Sequence, residues 1–492
     1  MNNYTIKDLE KWDMRIKELV ESFGLDPFPQ IFELCDHHQM IGYMAYSGMP
    51  SRYPHWSFGK QYEKQKTLYD YGVAGLPYEM VINSNPCLAY LMSDNTLLLQ
   101  VLTMAHVYGH NDFFRNNFNF RDTYPVYTLE KFKAHADRIR KYYEDPRIGY
   151  KKIERILDAA HTLSLNCRRN LGGVDAHDCE RRGNNAVNHG AMTVGGKCAV
   201  NNGVLTASCS SCNGLSTDGS RVEVDEEDEA KRPDTDPLLF IRDHNSQLKE
   251  WERDLMTIVH EESLYFVPQM ETKIMNEGWA VYWHKKILDT LDLPQDMRME
   301  FMIRHNQVVS PIPRGLNPYH LGWKMFEDIV ERWDEPSSEE REEFKRPGGE
   351  GIQKIFQVRE TDRDEGFIRQ YLTRELMIEM DLYQHEQAGS DRVVTKVSSN
   401  EDWKDVRNTI IRNIGMNSIP VITVQDGNYS GLGKLLLKHE VEGRELDREY
   451  AERTLGYIRR LWRQPVILET QINSKEVHII CEEEGKFEVK EI

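Results

Sequence analysis

Two histidines stand four residues apart in the segment TMAHVYGHNDFF: His106 and His110. On a helix, positions i and i+4 project about 40° apart, so both imidazoles share one face. A zinc ion uses this spacing when a single helix supplies two nitrogen ligands. Gly109 leaves a gap in that face, which a neighbouring backbone or a ligand can approach. A lone pair of this kind is weak evidence, because two histidines satisfied by core hydrogen bonds have the same spacing. A second segment, ETKIMNEGWAVYWH (271–284), places Lys273, Glu277 and His284 within a helical stripe roughly 60° wide. Trp279, Tyr282 and Trp283 flank the stripe and imply burial, and a buried charge must be paired or bound to a metal. An i,i+4 ion pair between Lys273 and Glu277 is the plainer alternative. Two histidines and a distant glutamate would complete an open site for zinc or another divalent metal, with water in the fourth position.

The string Asn276-Glu277-Gly278-Trp279-Ala280 resembles the helix that brings the third zinc ligand, a glutamate, to the site of the gluzincin metallopeptidases. That resemblance implies His106, His110 and Glu277 as metal ligands. Glu271, Lys273 and His284 are the expected catalytic residues, lining the pocket. The chain departs from the gluzincin HExxH pattern at Val107, where the general base would stand and where valine cannot move a proton. A base must then come from elsewhere, with Glu271, Glu262 and Asp112 as candidates.

Two weaker constellations remain. Cys35-Asp36-His37-His38 and His55-Trp56-Ser57-Phe58-Gly59-Lys60 set His and Lys among aromatics, which suits an anionic or sugar-like ligand held by His38, His55 and Lys60. The same residues also suit a packed loop whose histidines donate to backbone carbonyls. Cys209-x-x-Cys212, with Cys179, Cys198, His177 and His189 upstream, has no second CxxC, and a metal site there is a weak reading.

These residues need elements to position them. Periodic segments at 6–23, 61–72, 95–114 and 128–166 predict helices, and Thr5 with Asp8 predicts a capping box at the first. The Gly/Pro-punctuated, aromatic stretch 40–60 predicts a packed loop. Segment 244–288 predicts a long helix broken at Pro268, and 366–383 another helix. Strands are predicted at 420–424, 433–441, 465–472, 476–483 and 486–492, around a helix over 446–463. The expected fold is mainly α: a helical, zincin-like core with a small C-terminal α+β module. The expected divisions are 1–170, a helical part of the core carrying HxxxH; 171–236, an atypical, disordered linker or insertion; 237–390, a second helical part carrying NEGWA; and 391–492, the α+β module. Across 492 residues, 62 Lys+Arg against 80 Asp+Glu leave a net charge of −18, which argues against nucleic-acid partners. No signal peptide and no apolar run of about 18 residues is present, so the expectation is a cytoplasmic protein without a membrane span.

Several long strings, in order, resemble the stage V sporulation protein R (SpoVR) family: QMIGYMAY (39–46), PHWSFGK (54–60), LPYEMVINSNP (76–86), MAHVYGHNDFF (104–114), ETKIMNEGWAVYWH (271–284), LNPYHLGWKMFEDIVERWD (316–334) and YLTREL (371–376). The resemblance implies a role in formation of the spore cortex, a modified peptidoglycan. It also implies association with a PrkA-type Ser/Thr kinase and a protein with a von Willebrand-like domain. Residues 171–221 depart from it, being Gly/Asn/Cys-rich where relatives are charged, as an insertion or a shifted reading frame would produce. Two functions follow as expectations: a metal-dependent enzyme acting on an amide or peptide-like bond, or a non-catalytic scaffold or regulator working with the kinase.

Overall fold

In the computed structural model, the described residues are 4–71, 77–166, 199–201, 204–206, 235–312, 315–343, 345–388, 391–397 and 401–492. The expected linker and its cysteines, Cys179, Cys198, Cys209 and Cys212, lie outside them but for two three-residue strands, β4 (Ala199–Asn201) and β5 (Val204–Thr206), and the last two residues before 237. The chain divides into two compact units. Unit 1 is Met1–Leu165 with Gln247–Pro420, and unit 2 is Asn166–Ser246 with Val421–Ile492.

Unit 1 is mainly helical. Helix α1 (Ile6–Ser22) opens on the Thr5/Asp8 capping box and buries Leu9, Ile16 and Val20 along one stripe. A small sheet follows, in the order β1 (Gln30–Cys35), β3 (Cys87–Met92), β2 (Glu79–Ile82), with β1 parallel and β2 antiparallel to β3. The stretch expected as a loop instead carries α2 (His37–Ala45) and the start of α3 (Trp56–Asp70). A capping box between Asp36 and Gln39 starts α2, which outweighs the cost of Gly42 inside it. Helix α4 (Leu97–Asn116) is buried from Leu98 to Phe114 on every side, as a central core helix must be. The expected helix over 128–166 is two, α5 (Thr128–Glu144) and α6 (Tyr150–Leu163), separated where Gly149 takes φ +87°.

The expected break at Pro268 does not occur there. Helix α8 (Glu250–Glu271) runs through the proline and ends one turn later, where the Thr272 hydroxyl donates to the Pro268 carbonyl at 2.7 Å. Helix α9 (Lys273–Thr290) then begins with Asp364 accepting from the Ile274 and Met275 N–H groups, both at 2.9 Å. Helices α10 (Gln295–Val309) and α11 (Pro318–Asp334) follow, and α9 packs between α4 and α11. The expected helix over 366–383 is two, α14 (Asp364–Tyr371) and α15 (Arg374–Glu379), the second restarted by the Thr373 cap. Helices α12 (Ser338–Glu343) and α13 (Gly351–Thr361) precede them, and the paired strands β6 (Tyr383–Ala388) and β7 (Asp391–Val397) and helix α16 (Trp403–Asn413) complete unit 1.

In unit 2, a short helix, α7 (Pro237–His244), packs on a five-stranded sheet in the order β12-β11-β10-β9-β8. Its strands are β8 (Val421–Tyr429), β9 (Lys434–Glu440), β10 (Val466–Ile472), β11 (Lys475–Glu483) and β12 (Lys486–Glu491). Helix α17 (Arg448–Trp462) is the crossover between the parallel pair β9 and β10. Among the described residues, no helix is long and apolar enough to cross a membrane.

Candidate metal centre

Two close helix crossings bring the chemistry together. A Cβ added to Gly109 of α4 would lie 2.6 Å from the Ala280 Cα of α9. One added to Gly278 of α9 would lie 2.3 Å from the Gly322 carbonyl carbon of α11. Glycine permits both approaches, so the face of α4 with His106 and His110 meets the face of α9 with Glu277. The gap read at Gly109 is filled by the backbone of α9.

Glu277 Oε2 lies 3.4 Å from His110 Nε2 and 3.7 Å from His106 Nε2. Ligand atoms about 2.1 Å from a tetrahedral zinc ion stand about 3.4 Å from one another, so these separations fit a shared ion. Glu277 Oε2 is buried and has no hydrogen-bond partner. An orphaned carboxylate oxygen facing two imidazole nitrogens is the donor set a divalent cation satisfies. Burial pushes the Glu277 carboxyl up, but the facing His106 and His110 imidazoles hold it well below the usual carboxylate range. Burial lowers His110, and the Glu277, Asn276 and Glu79 contacts more than offset it, so its net shift is upward.

The imidazoles are oriented from behind. His110 Nδ1 donates to Asn276 Oδ1 at 2.8 Å, because the amide oxygen can only accept, and Nε2 is left bare toward Glu277. His106 Nδ1 contacts His284 Nδ1 at 2.9 Å, and His284 Nε2 contacts His305 Nδ1 at 3.0 Å. Burial and the neighbouring imidazoles push His284 well below its ordinary value, and burial pushes His305 down to about 4. The N–H bonds of such a chain of imidazoles point one way along it. When His106 donates to His284, His106 Nε2 is free to bind a metal.

Two further groups complete the site. Glu79, the first residue of β2, sets Oε1 4.0 Å from His106 Nε2. Burial raises its carboxyl, against the lowering effect of His106 and His110. The Tyr319 ring, in the first turn of α11, stacks on His106 with centroids 6.1 Å apart. The Glu277 charge and burial push its phenol far above the ordinary value. Both residues sit in strings that carry the family resemblance, but no spacing rule pointed to them. An acidic residue opening the otherwise apolar run EMVI was the available signal for Glu79.

The other expected residues are placed as follows. His284 stands behind His106 as a positioning residue. Glu271 ends α8 and pairs with Arg363 at 3.2 Å. Lys273 is exposed and lines a cavity of about 1070 Å³ together with Asp364, His320 and Asn317. Of the other candidate bases, Asp112 is held by Arg359 at 2.7 Å and Trp279 Nε1 at 2.9 Å, and Glu262 Oε2 is held by Arg52 at 2.7 Å. His38 is exposed with its ring against His37, Lys60 is exposed over the Trp56 ring, and His55 is buried beside Glu154 and Asp158. Among the described residues, no hydrogen bond, ion pair or ring contact joins His38, His55 and Lys60 to one another.

Comparison with known proteins accounts for both units. Residues 3–419 match the family described as SpoVR like protein, and residues 420–473 match the SpoVR-like C-terminal domain. That boundary falls beside the division between the compact units at Pro420/Val421. An uncharacterized protein of Escherichia coli (strain K12), YcgB, is 31% identical over 501 residues, covering 97% of this chain and 94% of its own. No solved structure matches the chain. The match over nearly its whole length establishes that the chain belongs to the SpoVR-like protein family.

Proposed function

We propose that this chain is a metal-dependent hydrolase of an amide or peptide-like bond, built on a zincin-like core and acting in formation of the spore cortex. The observation that carries this reading is the convergence of His106, His110 and the orphaned Glu277 oxygen on one point. Zinc or another divalent ion held there would polarise a carbonyl and lower the pKa of bound water. Asn276 and His284 fix the two imidazoles. Glu79 Oε1 faces the donors without being required as a ligand and takes the proton-transfer role that Val107 cannot fill. The Tyr319 phenol, held beside Glu277 and His106, is placed to donate to oxygen charge that develops on a substrate carbonyl. The peptidoglycan substrate class rests on the family resemblance.

The test is metal content and complementation together. Wild type holds bound zinc or a related ion, and His106→Ala and Glu277→Ala each hold one equivalent less. Glu79→Gln keeps the metal but fails to restore cortex formation in a spore-former lacking its own copy. Equal metal in all the proteins sinks the reading. A second reading is favoured by Val107: a non-catalytic scaffold or regulator acting with a PrkA-type kinase and a von Willebrand-like partner. Restoration of sporulation by a folded Glu277→Gln would decide for it.

A further inference from the structure

A second cluster has no residue in common with the first. His55, the residue at the N-cap position of α3, sets Nε2 3.2 Å from Glu154 Oε2 and 3.3 Å from Asp158 Oδ1. These separations again match the spacing of about 3.4 Å between ligands of one tetrahedral ion. Glu154 and Asp158 are i and i+4 on α6, so two like charges share one face, an arrangement that destabilises a helix unless compensated. Among the described residues, neither carboxylate is paired with a Lys or Arg.

The hydrogen bonds that are made leave two atoms of the gap unsatisfied. Glu154 Oε1 accepts from the Tyr143 hydroxyl at 2.8 Å, and Asp158 Oδ1 accepts from Trp56 Nε1 at 2.7 Å. His55 Nδ1 is 2.7 Å from the Ser57 hydroxyl. What remains is His55 Nε2 and Glu154 Oε2, both buried and both without a hydrogen-bond partner. His55 is 7% exposed, so bulk water does not reach it. The nitrogen and oxygen are close yet not aligned for N–H donation. His161, whose ring stands edge-on to His55 at 4.7 Å, has its Nε2 engaged by the Tyr53 hydroxyl at 2.6 Å and is not a donor to the gap.

We propose that His55 Nε2, Glu154 Oε2 and Asp158 form a second divalent-metal site that latches the start of α3 onto α6. One imidazole and two carboxylates make a harder donor set than that of the first site and suit Mn²⁺ as well as Zn²⁺. Asp158, with 23% of its side chain exposed, leaves a side open for entry and a water ligand. The latch answers a structural need. Helix α3 has no fully buried side chain along its fifteen residues, so core packing alone holds it weakly.

The experiment is a count of bound Mn²⁺ and Zn²⁺ on the full chain, by equilibrium dialysis and Mn²⁺ electron paramagnetic resonance. In Glu277→Ala, which removes a first-site ligand, one equivalent is expected to remain, and adding Asp158→Asn should abolish it. Absence of metal from Glu277→Ala, or an unchanged equivalent after Asp158→Asn, overturns the proposal. Circular dichroism in EDTA checks folding. Should Glu277→Ala not fold, the same subtraction is made between wild type and Asp158→Asn, which should differ by one equivalent. Equal counts there reject the site. Mn²⁺ is also expected to slow proteolysis within 56–70 in wild type and not in Asp158→Asn.

Discussion

The two imidazoles of the candidate centre are set by groups outside the proposed donor set. Asn276→Ala removes the acceptor that fixes the His110 ring, and metal affinity should fall about 10–100-fold, as for other outer-shell partners of ligating histidines. His284→Ala should act similarly through His106. Isothermal titration with Zn²⁺ measures both, and an unchanged affinity would show that the rings are held by packing alone. Asp364 gives a separate, pH-dependent prediction. Burial raises its carboxyl to about 7, against the two backbone N–H bonds that lower it. The unfolded chain releases that proton near 3.8, so between about 4 and 7 the folded state holds a proton the unfolded state has lost. The associated stability is complete below 3.8 and is lost as pH rises to about 7. The thermal midpoint of wild type relative to Asp364→Asn should therefore fall across that interval, and a flat difference would contradict the assignment.

At the scale of elements, the site depends on how closely α4, α9 and α11 cross. Gly→Ala inside a helix ordinarily stabilises by about 1 kcal/mol. At Gly109 and Gly278 the added methyl meets the backbone of the neighbouring helix, and the sign should reverse. Overpacking of this kind costs about 1–3 kcal/mol. Urea denaturation of Gly109→Ala and Gly278→Ala reads the stability. Zinc titration reads the second consequence, since helices pushed apart carry His106 and His110 away from Glu277. A stabilised Gly109→Ala would mean that α4 and α9 are not in this register.

At the scale of the molecule, both proposed ions lie in unit 1, while unit 2 offers no such cluster among its described residues. A ligand at a hundred times its dissociation constant stabilises the state that binds it by about 2.7 kcal/mol. Calorimetry with and without EDTA should therefore move the transition of the helical unit and leave that of the C-terminal sheet in place. A shift of the sheet transition alone would count against both sites.

What the sequence determined by itself was local. The i,i+4 spacing of His106 and His110, the aromatic flanks of Glu277, the Thr5 cap and the five C-terminal strands were legible because each pattern is complete within one element. Their physical cause is a backbone period of 3.6 or 2 residues. Where local signals conflicted, as at Gly42 against the Asp36 cap or at Pro268 against the Asp364 cap, the outcome depended on partners that the periodicity does not reveal. Only the tertiary structure decided that Glu79 from a strand and Tyr319 from another helix stand beside the histidines, or that His284 lies behind His106. It likewise decided that His55 meets Glu154 and Asp158 rather than His38 and Lys60. These are meetings between elements distant in the chain, set by which helices can approach at Gly109, Gly278 and Gly322 and by which buried charges must find a counterion.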